Sequence, residues 1–228
     1  MKTLNKKILQ TIMFTIFSFN SNVLTQEDQS VFEEIIVTAE KRDESLQDVS
    51  QAVTAITDTE IEAKNITSFV DLTAVVPGVT VAKNEGYKTV ISIRGVGNET
   101  NQNAIAAPSV AYHMDGIFIA SPFSLQTDFL DVERIEVLRG PQGTLFGQNS
   151  TGGAINVISK KPSTDSLSSK AQVTLGDYGL MKLSSSTNFP ISDSLATRFS
   201  FSSVERDGFS ENIQLGQELD DENSISLR

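Results

Sequence analysis

Val132-Glu-Arg-Ile-Glu-Val-Leu-Arg-Gly-Pro-Gln-Gly-Thr-Leu-Phe-Gly147 continues through Gly152-Gly-Ala-Ile-Asn-Val-Ile-Ser-Lys-Lys-Pro162. Its first half alternates apolar and polar residues and predicts a strand that ends at Arg139. A loop follows, punctuated by Gly140, Gly143 and Gly147, positions read as places where side chains would obstruct tight packing. Ala154 to Ser159 then predicts a second strand. The glycines lack both the Lys-Ser/Thr ending of a phosphate loop and the strand, G-x-G-x-x-G, helix order of a dinucleotide fold, so packing is the preferred account of them.

Working upstream, Val49 to Ile56 reads as a strand, and Thr57-Asp-Thr-Glu60 fits a capping box that opens a short helix from Thr59 to Lys64. A second helix is expected from Thr67 or Ser68 through Val75. Phe69, Leu72, Val75 and Val76 give it one apolar stripe, and Pro77-Gly78 stops it. Val79 to Lys83, Thr89 to Ile93, Val110 to Met114 and Ile117 to Ile119 read as short strands, with Asp115-Gly116 turning the chain between the last two. Small helices mixed with short strands indicate a compact α+β domain over residues 43–161. Further upstream, Glu33, Glu34, Ile35, Ile36, Val37, Thr38 and Ala39 form a β-prone run between charges. It can be an edge strand, or an exposed peptide that adds itself to a partner's sheet.

Downstream, Lys160 to Asp165 suits a linker, and from residue 166 the chain becomes alternating and serine-rich. Lys170 to Leu175, Leu180 to Phe189 and Leu195 to Glu205 read as antiparallel strands with one apolar face. The connection Pro190 to Ser194 is short and Arg206 to Asp221 is long. Strands of this kind suit a soluble sandwich as well as the wall of a transmembrane β-barrel, and the asymmetric loops favour the barrel, whose periplasmic turns are short and external loops long. The residues running up to Arg228 read as the start of a fourth strand. Three or four strands cannot close in lipid, so residues 166–228 are expected to begin an incomplete barrel.

At the start, Lys2, Lys6 and Lys7 precede the apolar run Ile8 to Phe19, the pattern of a secretory signal over residues 1–22, cleaved between Ser18 and Thr25. As a helix that run would rise about 18 Å, short of a bilayer's roughly 30 Å core. Residues 23–42 follow as a periplasmic leader. The chain has 228 residues, 39% hydrophobic, and no cysteine, which removes disulfides and thiolate chemistry. Beyond residue 20 it carries 15 basic against 29 acidic side chains, a balance of about −14 that repels nucleic acid. His113 is the sole histidine and reads as a satisfied strand residue, so no catalytic site, metal or cofactor is expected.

The Val132 to Pro162 stretch, together with Ile91-Ser-Ile-Arg-Gly-Val-Gly97 and Tyr112-His-Met-Asp-Gly116 in order before it, resembles the plug signature of TonB-dependent outer-membrane receptors. Gly95, Asp115, Gly116, Gly140, Gly143, Gly147, Gly152 and Gly153 carry that resemblance. It implies an α+β plug followed by strands of a barrel with about 22 strands, which makes the chain an N-terminal part of a longer protein. It also implies that residues 33–39 are the TonB box and that Arg94 and Arg139 lock the plug to barrel glutamates by bidentate bonds. The polar loop with Asn98, Asn101, Gln102 and Asn103 becomes the candidate ligand contact. The implied partners are the TonB complex, outer-membrane lipid and a small solute, a ferric siderophore foremost, with cobalamin, haem or an oligosaccharide as alternatives. A true end at residue 228 would instead leave a free periplasmic binding module. Ser50 departs from the pattern, since proline is common there among relatives.

Overall fold

The computed structural model describes residues 34–39, 41–42, 44–84, 88–97, 108–121, 124–125, 128–214 and 216–228. The signal, most of the leader, Glu33 and the loop with Asn98, Asn101, Gln102 and Asn103 lie outside the described residues.

Strands β1 (Ile36–Val37) and β2 (Glu44–Ser45) pair antiparallel near the start. Next come β3 (Val53–Thr57), β4 (Val79–Asn84), β5 (Lys88–Ile93), β6 (Val110–Met114), β7 (Ile117–Phe118), β8 (Val132–Arg139) and β9 (Gly153–Ser159). The main sheet has the order β3-β8-β9-β6-β7, with β9 and β6 parallel and the other pairs antiparallel. Strand β9 is buried along its whole length, because both faces of the sheet are covered.

The two-residue period of a strand assigns those faces. Ile56, Ile135, Val137, Ile155, Val157, Val110 and Tyr112 pack on one side against Phe69, Leu72 and Val76. Ala55, Leu138, Ala154 and Ala111 face the other way and meet Val37, Ala39 and Phe146. The small side chains on this second face leave room for an extended segment to lie close to the sheet.

The helix Asp58–Ala63 starts one residue before the expected Thr59 but is capped as expected, with the Thr57 hydroxyl accepting from the Glu60 amide at 3.4 Å, while the Glu60 carboxylate accepts from Lys64. The second helix is tighter than expected. It is a 3-10 turn, Phe69–Asp71, followed by one α turn, Leu72–Val75. The Asp71 carboxylate accepts from the amides of both Thr67 and Ser68 at 2.8 Å, which pulls its first turn in. The strand expected from Val49 begins only at Val53, because residues 46–48 turn back and Asp48 donates to the Ser45 carbonyl. The glycine loop also holds a helical turn, Gly143–Phe146, formed because Phe146 buries itself in the second face.

Beyond the main sheet, β10 (Ser168–Leu175), β11 (Met181–Ser192), β12 (Leu195–Arg206) and β15 (Glu222–Leu227) form an antiparallel meander. The register of β11 shifts between Pro190 and Ser192, an irregularity that accommodates a residue without an amide donor and carries the strand beyond its expected end at Phe189. The expected long loop contains its own hairpin, β13 (Ser210–Asn212) with β14 (Gln217–Leu219). No helix among the described residues is long and apolar enough to cross a membrane, a statement that does not bear on strands.

Candidate functional site

The segment before the main sheet is docked on its second face. Val37 and Ala39 are 0% exposed, Ile36 is 41% exposed, and Leu46 donates to the Ile35 carbonyl at 2.9 Å. Between the two buried residues, the Thr38 amide donates to Glu136 Oε1 at 2.7 Å, and the Thr38 hydroxyl lies 3.1 and 3.0 Å from the two carboxylate oxygens. Glu136 is itself 0% exposed and also accepts from Arg134 Nε at 2.9 Å and Asn156 Nδ2 at 3.3 Å. Lys41 covers the Phe146 ring at 4.4 Å. This corrects the expectation of an exposed peptide. The alternation of β8 places Glu136 on the small-residue face, and the apolar neighbours of Thr38 are buried there with it.

Glu136, Asn156 and His113 lie in one row across β8, β9 and β6. His113 packs between Phe118 and Phe146, with ring centroids at 5.5 and 5.1 Å. Burial, and then the charge of Lys41, pushes its pKa down. Its Nδ1 has no hydrogen-bond partner among the described residues, so it is not the satisfied strand residue expected. No group of three metal-ligating side chains occurs among the described residues.

Arg139 ends β8 and Arg94 follows the end of β5, at one corner. Arg94 is exposed at φ 53°, and its amide donates to the Gly78 carbonyl at 2.7 Å. Arg139 is half-buried, and its Nε is enclosed without a partner among the described residues. Gly153 pairs with Arg139 and sits against Ile93, while Gly152 sits against Val96, so these two glycines join the corner. The crowding expected at Gly140, Gly143 and Gly147 is absent, since a Cβ there would meet nothing within 4 Å. Gly140 and Gly147 instead adopt φ of 106° and 76°, which a side chain disfavours. Asp115 does more than turn the chain. Its carboxylate accepts from the Ser159 amide at 2.9 Å and hydroxyl at 3.1 Å and pairs with Arg228 at 2.8 Å. Burial would push its carboxyl up, but the bonds from Ser159 and Arg228 outweigh that and hold it below the usual range.

The meander faces this domain with its polar side. Ser200, Ser202 and Val204 of β12 are buried, whereas Phe199 on the opposite face is 62% exposed and Leu227 is 77% exposed. Val173, Leu175, Ile191 and Ile225 are exposed with them. Lys170, Lys182 and Arg198, from β10, β11 and β12, and Arg228, just past β15, pair with Glu62, Asp128, Asp131 and Asp115. The Arg198 bond is bidentate, with Nε and Nη2 at 2.5 and 2.6 Å from the Asp131 oxygens.

Burial tends to push the Asp131 carboxyl up, but the hydrogen bonds from Arg198 and Ser200, with the Arg198 charge, hold it below its ordinary value. A depressed carboxylate stabilises the folded state above the unfolded pKa of about 4 and loses that contribution as pH falls through the lower folded value. Asp131→Asn is therefore expected to cost about 2 kcal/mol at neutral pH. Urea midpoints of the two proteins should converge below about pH 4; a gap unchanged down to pH 3 would contradict this.

Sequence reasoning missed Glu136 and the Asp131–Arg198 pair. The available signal was an acid between Ile135 and Val137 in a strand whose neighbours on both faces are apolar, a position that demands a donor.

An α+β domain covered by a sheet with its polar face inward and apolar face outward is the architecture of a plugged outer-membrane barrel. The family model "TonB-dependent Receptor Plug Domain" matches residues 45–154. The pesticin receptor of Yersinia pestis is 34% identical over 143 residues, covering 60% of this chain and 20% of that protein. The vitamin B12 transporter BtuB of Vibrio vulnificus is 31% identical over 176 residues, 75% of this chain and 27% of that protein. The crystal structure of the ferric yersiniabactin uptake receptor FyuA from Yersinia pestis superposes with a TM-score of 0.64 at 24% identity, over 78% of this chain and 27% of that one, a likeness of fold. The chain belongs to the TonB-dependent receptors of the outer membrane. It spans between a fifth and about a quarter of the length of these relatives.

Proposed function

We propose that the chain forms the plug, residues 43–161, and the first wall strands, residues 166–228, of a receptor that imports a scarce solute by energy-coupled displacement of the plug. The observation that carries this reading is the inverted meander. Its exposed Phe199, Leu175 and Leu227 suit contact with lipid, and its lysines and arginines hold plug acids. Residues 33–39 are the strand that TonB captures from the periplasmic side, after a ligand outside has touched the loop with Asn98, Asn101, Gln102 and Asn103. Arg94 and Arg139 lock the plug to acids of the barrel wall, and Arg139 Nε, which has no hydrogen-bond partner among the described residues, supports that role.

A ferric siderophore is the favoured cargo, since one similar structure is a ferric yersiniabactin uptake receptor. Cobalamin is the second reading, because a vitamin B12 transporter is among the similar sequences. Uptake of labelled ferric siderophores and of cobalamin by cells with and without the complete gene, before and after an uncoupler, tests both. Equal uptake in the two strains refutes import of the solute supplied. Arg139→Ala is expected to lower energised uptake about tenfold and to raise leakage of small solutes, the scale of one lost charge-assisted contact. Leakage and uptake that both match wild type would remove the lock from the mechanism.

A further inference from the structure

We propose that Glu136 is the clamp that holds the N-terminal segment on the plug, with Thr38 as its catch; this rests on reading residues 33–39 as the strand a partner captures. A glutamate with no exposed surface must be matched by donors, because an unpaired buried carboxylate is costly. Thr38, 98 positions away, supplies its main-chain N–H and its hydroxyl to that carboxylate. Asn156 bridges the two, donating to the Thr38 hydroxyl at 3.2 Å and to Glu136 at 3.3 Å.

Apart from the Leu46 bond to the Ile35 carbonyl and Lys41 over the Phe146 ring, the rest of the contact is apolar. Val37 and Ala39 lie against Ala55, Ala111, Leu138 and Ala154, and none of those side chains holds a segment in register. The strand pair β1 and β2 has only two residue partners on each side. Hydrogen bonding to Glu136 therefore sets both where the segment sits and how hard it is to lift. When the segment leaves, the carboxylate keeps Arg134 and Asn156 and gains water, so the docked state is held but not permanently. Glu136 is a positioning residue in this account, acting on Thr38 and touching no cargo.

The test uses the complete receptor in outer-membrane vesicles. This part of the chain contains no cysteine, and any cysteine beyond it is replaced, so Ala39→Cys gives a buried thiol probe. Thr38→Val and Glu136→Gln should each raise the rate of maleimide labelling at that thiol by about tenfold, the effect of weakening one or two charge-assisted bonds. Labelling of a second probe, Val76→Cys in the other core, should stay slow. An unchanged rate at Ala39→Cys in both variants overturns the clamp. A rise of equal size at Val76→Cys overturns it as well, since the plug would then be loosening everywhere. Affinity for a purified periplasmic TonB fragment should rise in parallel with labelling, because the competent state is more populated. Faster labelling without tighter TonB binding keeps the clamp and removes the reading of residues 33–39 on which it rests.

Discussion

Gly153→Ala is expected to destabilise the plug by about 2–6 kcal/mol, combining backbone strain with overpacking. Gly153 has φ of 149°, a region nearly closed to side chains, and the new Cβ would lie 2.3 Å from the Leu138 carbonyl oxygen and 2.8 Å from Ile93 Cδ1. The Ile93 side chain can turn aside. The carbonyl cannot, since it belongs to β8, the strand paired with β9 through Arg139 and Gly153. The two central strands must part at the corner that holds both arginines. Urea unfolding, followed through hydrogen exchange of β8 and β9 amides, should show the loss. Gly143→Ala is the control, because open space surrounds that position and its φ is ordinary; its effect should stay within about 0.5 kcal/mol. Equal midpoints for Gly153→Ala and wild type would contradict the packing argument.

Phe69→Ala is expected to cost about 3–5 kcal/mol. Phe69 is buried where the 3-10 turn meets the sheet, edge-on to Tyr112 at 4.8 Å and to Phe129 at 4.7 Å. Such ring pairs add about 0.5–1.5 kcal/mol to the area term. The cavity left by truncation would be bounded by rigid β6 and could not collapse easily. Phe69→Leu should recover more than half of the loss by filling most of that volume. If Phe69→Ala moved the midpoint no more than an exposed substitution, the first face would not be the principal core.

Much of the plug was legible in the sequence because its signals are local. The alternation of Val132 to Arg139 marked β8 at its correct ends, and Val110 to Met114 likewise marked β6. Thr57 capped its helix as its spacing to Glu60 indicated. The apolar stripe Phe69, Leu72 and Val76 became core even though the helix carrying it broke into two short turns. The single apolar face expected of Leu195 to Glu205 also held, with Phe199 exposed opposite buried Ser200 and Ser202. Departures here were local in origin: a turn over residues 46–48 delayed the strand expected from Val49, and the long loop 206–221 holds its own hairpin.

Sequence alone therefore determined the strand, glycine loop, strand unit, the mixed α+β domain and the one apolar face of the strands in residues 166–228, because a period of two is written in neighbouring residues. Tertiary structure alone decided which glycines are crowded, that Thr38 rests on Glu136, and that Asp131 is held by Arg198 67 positions away. Burial of a carboxylate and the clearance around a Cβ are properties of chains meeting in space. A one-residue alternation can say which way a side chain points, but not what it meets.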